Sequence, residues 1–346
     1  MQIELWGTYP PPIGGVTIHI FRLIHSLHKH NQFIILKNFG NANSEIPYIR
    51  KVTNKGAEFI KLLFVKKKLI HLHSNNFLSF LLLLLFGRKH RLGITLHNKN
   101  LIKEQSRFKY RIIKSFLQEA RFILLNDPNY KQQLINTFHL KENKIHILPA
   151  FIPPLPCEYK GLDQNILDFK QKFSFVISAN AYKLRIENNI DIYGFDLLIH
   201  LIKFLIDKDI NAGLIFCLPL IGDQDYYNKC LLLIDKLKIA QHILIYQKQI
   251  TNGFEIWQNS DLFIRPTSTD IEGISVKEAL FCGTPAIASD VCVRPKEAIL
   301  FRNRDFKDLS NKVLGYYEKR NILKQDPIIF KENSVNQILD IYRSII

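Results

Sequence analysis

Residues 261–289 read DLFIRPTSTDIEGISVKEALFCGTPAIAS, and this stretch decides the fold. Leu262-Phe263-Ile264 is a short apolar run and Pro285-Ala286-Ile287-Ala288-Ser289 is another, each with the character of a buried strand. Between them a helical pattern opens at Ser275 and closes at Gly283, a residue suited to the position just past a helix end. Strand, loop, helix and strand in that order predict part of a parallel α/β sheet.

The loop carries an acid at Asp270, a turn glycine at Gly273 and a second acid at Glu278. Gly273 lets a ligand approach the backbone, and the N–H groups of Ile274, Ser275 and Val276 are expected at the positive end of the helix, where a diphosphate is stabilised. Such an arrangement suits a sugar nucleotide, with phosphates on the helix end and carboxylates for hydroxyl groups. Ser275-x-x-Glu278 is also a capping box, in which Glu278 bonds back to the Ser275 N–H. Both readings stand on these residues alone.

Asp270-x7-Glu278 within RPTSTDIEGISVKEALFCGTPAIAS resembles the paired-acid signature of the retaining glycosyltransferases of family 4. The family usually has Glu at the first position; here it is Asp270, with Glu272 as a competitor two residues on. The resemblance implies a GT-B type α/β fold, two Rossmann-like parallel-sheet domains facing across a cleft. Asp270 would hold sugar hydroxyls and steady charge at the anomeric carbon, Glu278 the nucleotide ribose, and Gly273, Ile274 and Ser275 the phosphate. No metal and no separate cofactor is implied, the nucleotide sugar being a substrate.

Further members of the pattern stand elsewhere. Within YPPPIGGVTIHIFRL, Gly14 and Gly15 lie between a predicted strand, Ile3 to Trp6, and a helical spacing at Val16, Ile20, Leu23, Ile24 and Leu27. A glycine pair there brings backbone N–H groups close to phosphate or sugar, or simply makes a tight turn. The stretch resembles the family's glycine loop, which touches donor or acceptor. His97, at the predicted end of the strand Leu92 to Leu96, resembles in ITLHN the family histidine that faces the reacting sugar; His71 and His73 are expected as structural or rim residues.

The first half continues with predicted strands at Phe33 to Leu36, Leu69 to His73, Phe122 to Leu125 and Ile145 to Leu148, and helices at Phe77 to Phe86 and Pro128 to Phe138. LPAFIPPLPCEY, residues 148–159, is rich in proline and marks a domain boundary. A second parallel α/β unit is expected beyond it, giving domains at 1–155 and 156–330 and a C-terminal helical segment at 331–346, which the resemblance implies crosses back to the first. In SANAYKLRIENNIDIYGF, Asn180 and Tyr193 stand where the family usually has Arg and Lys for the donor diphosphate. Lys183, Arg185 and Arg265 are the candidate replacements.

Composition bounds the reading. The chain has 346 residues, 47% hydrophobic and 23% charged, as expected for globular domains. Its net charge of +16 lies in the first half: residues 1–150 hold 23 Lys or Arg and 7 Asp or Glu, whereas residues 151–346 hold 24 of each. Such a surface attracts anionic lipid or nucleic acid. No zinc spacing, recognition-helix signature or aromatic-basic interleaving supports a nucleic-acid-binding protein, and no G-x-G-x-x-G after the first strand supports a dinucleotide oxidoreductase. The stretch Lys99 to Arg121 reads as a basic amphipathic helix, suited to an anionic membrane surface or a partner, or docked on its domain with a solvated basic face.

Five scattered cysteines without C-x-x-C point to reduced thiols. The N-terminus lacks a signal-peptide pattern, and the apolar run Phe77 to Phe86 is about half of the roughly 20 residues a membrane helix needs. The expectation is a cytoplasmic protein, peripheral at the inner membrane face. It would move a sugar from UDP- or GDP-sugar to a lipid-linked oligosaccharide or growing polysaccharide, as in capsule or lipopolysaccharide synthesis. A basic nucleic-acid-binding or scaffold protein is the alternative.

Overall fold

The computed structural model describes residues 2–103, 106–248, 252–270, 272–320, 327–328 and 334–346. Two compact units account for it, Met1–Ile152 with Glu332–Ile346, and Pro153–Lys331.

The first unit is built on strands β1 (Ile3–Gly7), β2 (Ile34–Asn38), β3 (Ile49–Lys51), β4 (Leu69–Leu72), β5 (Arg91–Thr95), β6 (Phe122–Leu125) and β7 (Ile145–Ile147). They pair in parallel in the order β3-β2-β1-β4-β5-β6-β7. Helices α1 (Gly15–His30), α2 (Lys55–Ile60), α3 (Phe77–Phe86), α4 (Arg107–Glu119) and α5 (Pro128–Phe138) make the crossovers. Every residue of β1, β4 and β6 is buried, as an apolar run covered on both faces requires. From α1, the expected residues Ile20, Leu23, Ile24 and Leu27 enter the core against Ile3, Leu5, Ile34 and Leu36. Gly7, ending β1, lets this helix come close: a Cβ there would lie 2.8 Å from Ile20 Cδ1 and 3.2 Å from His73 Cβ.

Two elements differ from their sequence patterns. The basic stretch expected as a helix from Lys99 forms α4 only from Arg107, because the Ser106 hydroxyl caps it by accepting from the Lys109 N–H at 3.4 Å; Asn100–Ile102 is a separate 3-10 turn, and residues 104–105 lie outside the described residues. Strand β3 was not expected, since three residues with one buried side chain show no period.

The second unit holds β8 (Phe175–Asn180), the short strands β9 (Lys183–Leu184), β10 (Ile186–Glu187) and β11 (Ile190–Asp191), then β12 (Ala212–Cys217), β13 (Leu220–Gly222), β14 (Ile243–Tyr246), β15 (Leu262–Arg265), β16 (Ala286–Ser289) and β17 (Ile299–Phe301). Its main sheet is parallel, in the order β14-β12-β8-β15-β16-β17. Helices α6 (Gln164–Lys170), α7 (Phe195–Ile206), α8 (Gln224–Lys236), α9 (Gly253–Gln258), α10 (Ile274–Phe281) and α11 (Phe306–Lys319) surround it. Phe175, Ile177, Phe195, Leu198, Leu214, Phe216 and Ile264 lie in its core.

The last helix, α12 (Ser334–Ile345), belongs with the first unit: Val335, Ile338, Leu339 and Tyr342 pack with the α1 face of that sheet. Residues 331–333, the start of the expected C-terminal segment, lie outside the described residues. No helix among the described residues is long and apolar enough to cross a membrane.

Candidate functional site

The stretch 261–289 folds as strand, loop, helix and strand, with Phe263 facing Ala286 and Ile264 facing Ile287 across the parallel β15–β16 pair. Helix α10 starts at Ile274, one residue before the expected opening, with Gly273 as its N-cap at φ 67° and ψ 65°. That start places Glu278 in the second turn, too far along to close a capping box with Ser275. The half-buried Glu278 carboxylate instead accepts from the Trp257 indole N–H at 3.4 Å. One expectation about the helix end is corrected: the Val276 N–H bonds to the Gly273 carbonyl at 2.9 Å, leaving Ile274 and Ser275 to present the open N–H groups. Past the helix, Gly283 takes φ 80° and Thr284 N–H returns to the Ala279 carbonyl at 2.9 Å, as a helix stop requires.

Asp270 lies between two arginines. Its Oδ2 accepts from Arg265 Nε at 3.3 Å and from Arg294 Nη1 at 3.0 Å. Arg294 has a fully buried side chain; its Nε donates to the Ser289 carbonyl at 3.2 Å, and its Nη2 is buried without a hydrogen-bond partner among the described residues. A Cβ at position 273 would stand 2.0 Å from Arg294 Nη1, so the glycine opens the space the guanidinium fills. Sequence reasoning missed Arg294 because it lies beyond the β16 strand in VCVRPKE, outside the paired-acid stretch.

Arg265 gathers the two residues that depart from the family pattern. Its Nη1 donates to the Asn180 carbonyl at 2.8 Å and to Asn180 Oδ1 at 3.0 Å, and its guanidinium lies 5.5 Å from the centre of the Tyr193 ring. Glu272 is buried and pairs with Lys277. Of the other proposed cations, Lys183 is exposed on β9 and Arg185 is paired with Glu187.

Beneath this loop the start of α7 is held by Asp191, whose carboxylate accepts from the N–H groups of Tyr193 at 2.9 Å and Phe195 at 2.6 Å and from the Tyr226 hydroxyl at 2.9 Å. Burial raises its pKa, opposed by these hydrogen bonds.

In the first unit, the Gly14–Gly15 loop is tied by Thr17. Gly14 N–H donates to Thr17 Oγ1 at 3.0 Å, while the Thr17 hydroxyl donates to the Pro12 carbonyl at 2.7 Å. Nothing lies within 4 Å of the place a Cβ would occupy on Gly14, so its backbone is approachable. His97 follows β5, and its Nε2 lies 3.1 Å from His73 Nδ1. His73 is therefore a neighbour of His97 and more than a rim residue. His71, two residues earlier, is structural: Nδ1 meets the Tyr342 hydroxyl at 2.5 Å and Nε2 the Thr95 hydroxyl at 2.7 Å. Burial, followed by the charges of neighbouring imidazoles, holds His97 and His73 well below the ordinary histidine range and pushes His71 down to about 3.

Residues 192–314, about a third of the chain, match the family model described as glycosyl transferases group 1. No curated protein matches the chain. Among solved structures it is similar to Alr3699/HepE of Anabaena in complex with UDP and glucose, at 15% identity and a TM-score of 0.72, covering all of both chains. It is also similar to sucrose-phosphate synthase from Thermosynechococcus elongatus, at 14% identity and a TM-score of 0.70, over 100% of this chain and 99% of that one. A glycosyltransferase from Rickettsia africae matches at 16% identity and a TM-score of 0.66, over 99% and 98% of the two chains. The fold is GT-B type, two parallel-sheet α/β domains.

Proposed function

We propose that the protein is a retaining glycosyltransferase that takes a sugar from a nucleotide diphosphate sugar of the UDP or GDP type. The observation that carries this reading is the loop before α10. There a carboxylate, Asp270, is set by two arginines beside a left-handed glycine and the N-terminus of an eight-residue helix. A leaving diphosphate needs positive charge that is already in place, and a helix end with fixed guanidinium groups supplies it without reorganisation. The family-model match over this segment and the UDP and UDP-glucose complexes among similar folds support the same chemistry, with UDP the better-supported nucleotide.

In this reading Ile274 and Ser275 N–H groups and the Gly273 backbone hold phosphate, and Glu278 accepts from the ribose. Arg265, with Asn180 and Tyr193 as its supports, and Arg294 supply the charge that the usual Arg and Lys supply in the family; Lys183 and Arg185 are candidates at the rim. Asp270 faces the sugar hydroxyls and the anomeric carbon, with Glu272 its competitor for the first-acid position and Glu278 the second acid. The acceptor attacks on the face the diphosphate leaves, and a phosphate oxygen takes its proton. The basic first unit, with the Gly14–Gly15 backbone and His97, is assigned to a lipid-linked saccharide or polysaccharide acceptor at the inner face of the membrane.

A thermal-shift and nucleotide-release screen against UDP- and GDP-sugars, run in EDTA, tests the reading. One donor should raise the unfolding midpoint and release its nucleotide. In Glu278→Ala turnover should fall by more than about tenfold with the fold intact, and Arg294→Leu should weaken donor binding by about 10- to 100-fold, as expected for a lost hydrogen bond to a charged group. Full activity of folded Glu278→Ala would remove its assigned role, and the absence of any donor effect would sink the reading as a whole.

A further inference from the structure

The first unit holds a cluster of three histidines, of which the proposed function uses only His97. His19, in the second turn of α1, His73, directly after β4, and His97, just after β5, converge at the carboxyl edge of the sheet. One nitrogen from each lies within 4.8 Å of the other two. Their ring centres are 5.2 Å apart for His19 and His97, 5.4 Å for His73 and His97, and 5.9 Å for His19 and His73. Gly7 permits the gathering, because a side chain there would push Ile20 on α1 away from His73.

The geometry points to a transition-metal site formed by His19, His73 and His97, three imidazole ligands with a fourth position left for water or a ligand oxygen. Two imidazole nitrogens each about 2.0–2.1 Å from a tetrahedral ion stand roughly 3.3 Å apart. His73 Nδ1 and His97 Nε2 are already 3.1 Å apart, close to that spacing, and one nitrogen of His19 lies within 4.8 Å of one nitrogen of each of the other two rings. His19 Nδ1 lies 2.8 Å from the Ala150 carbonyl. With Nδ1 as the donor, the lone pair is on Nε2, and the bond orients the ring as outer contacts orient metal-bound histidines.

His71 is excluded from the set, since both its nitrogens are engaged by Tyr342 and Thr95. Burial keeps His73 and His97 neutral, the form that binds a metal. An all-nitrogen set selects zinc, cobalt, nickel or copper over magnesium or calcium.

The test is titration of the full-length protein, stripped with EDTA, with Co2+ and then Zn2+. One Co2+ per chain should bind with the visible ligand-field absorption of a tetrahedral site, and Zn2+ should displace it. His73→Ala and His19→Ala should each weaken binding by at least about 100-fold, while the exposed His30→Ala should not. Circular dichroism checks that each variant is folded; His97→Gln, altering a half-buried position, replaces any variant that is not. Failure to bind Co2+ stoichiometrically, or binding unchanged in the folded histidine variants, overturns the site. Neither outcome depends on donor binding, so the glycosyltransferase reading is tested separately.

Discussion

At the scale of single residues, the donor loop turns on Gly273 and Arg294. A side chain at 273 meets two obstacles at once, a left-handed backbone at φ 67° and a guanidinium nitrogen 2.0 Å from the new Cβ. Gly273→Ala should therefore cost about 1–3 kcal/mol of stability in denaturant unfolding. A variant as stable as the parent would show that the loop relaxes freely. Histidine protonation gives a second expectation. His71 is held at about 3 in the fold against about 6.5 when exposed, and His73 and His97 are lowered in the same direction. Below about 6.5 the unfolded chain binds more protons than the folded one, so stability falls as pH drops, and for His71 the loss runs down to about 3. Unfolding midpoints of metal-free protein should decline from pH 7 to pH 5, and a flat profile over that range contradicts the buried neutral histidines.

At the scale of elements, α12 meets the first sheet through a buried polar contact within an apolar face. Tyr342 reaches His71 at 2.5 Å while Val335, Ile338 and Leu339 pack beside it. Tyr342→Phe keeps the packing and leaves His71 Nδ1 buried without its partner, at a cost of about 1–3 kcal/mol measured by chemical unfolding. Helix α10 is fixed differently, by backbone geometry at both ends: Gly273 opens it and Gly283 ends it. Both glycines were legible in the sequence. The first residue of the helix was not, because Ser275 offers a side-chain cap that competes with a backbone one, and only the folded turn decides which forms. Helix α4 shows the same limit, its expected length being cut by the Ser106 cap.

At the scale of the whole molecule, all of the excess positive charge is in the first 150 residues. In the unit they largely form, Phe108 and Leu85 are 60% and 61% exposed, on helices that also present basic side chains or precede Arg88 and Lys89. Vesicles containing anionic lipid should bind the protein and release it as salt rises towards 1 M, where the screening length is about 3 Å; neutral vesicles should not bind. Equal binding to both would remove charge as the cause. The two parallel-sheet units, most of their strands and the acid-glycine-acid loop were determined by the sequence by itself, since apolar runs and turn glycines act on their nearest neighbours along the chain. Only the tertiary structure decided that Asp270 meets Arg294 as well as Arg265, that Asn180 and Tyr193 support Arg265, and that His19, His73 and His97 converge. These groups come from separate strand ends and, for His19, from the first helix, and they meet because a parallel sheet with its crossovers brings distant segments to one edge, an order of strands that no local pattern encodes.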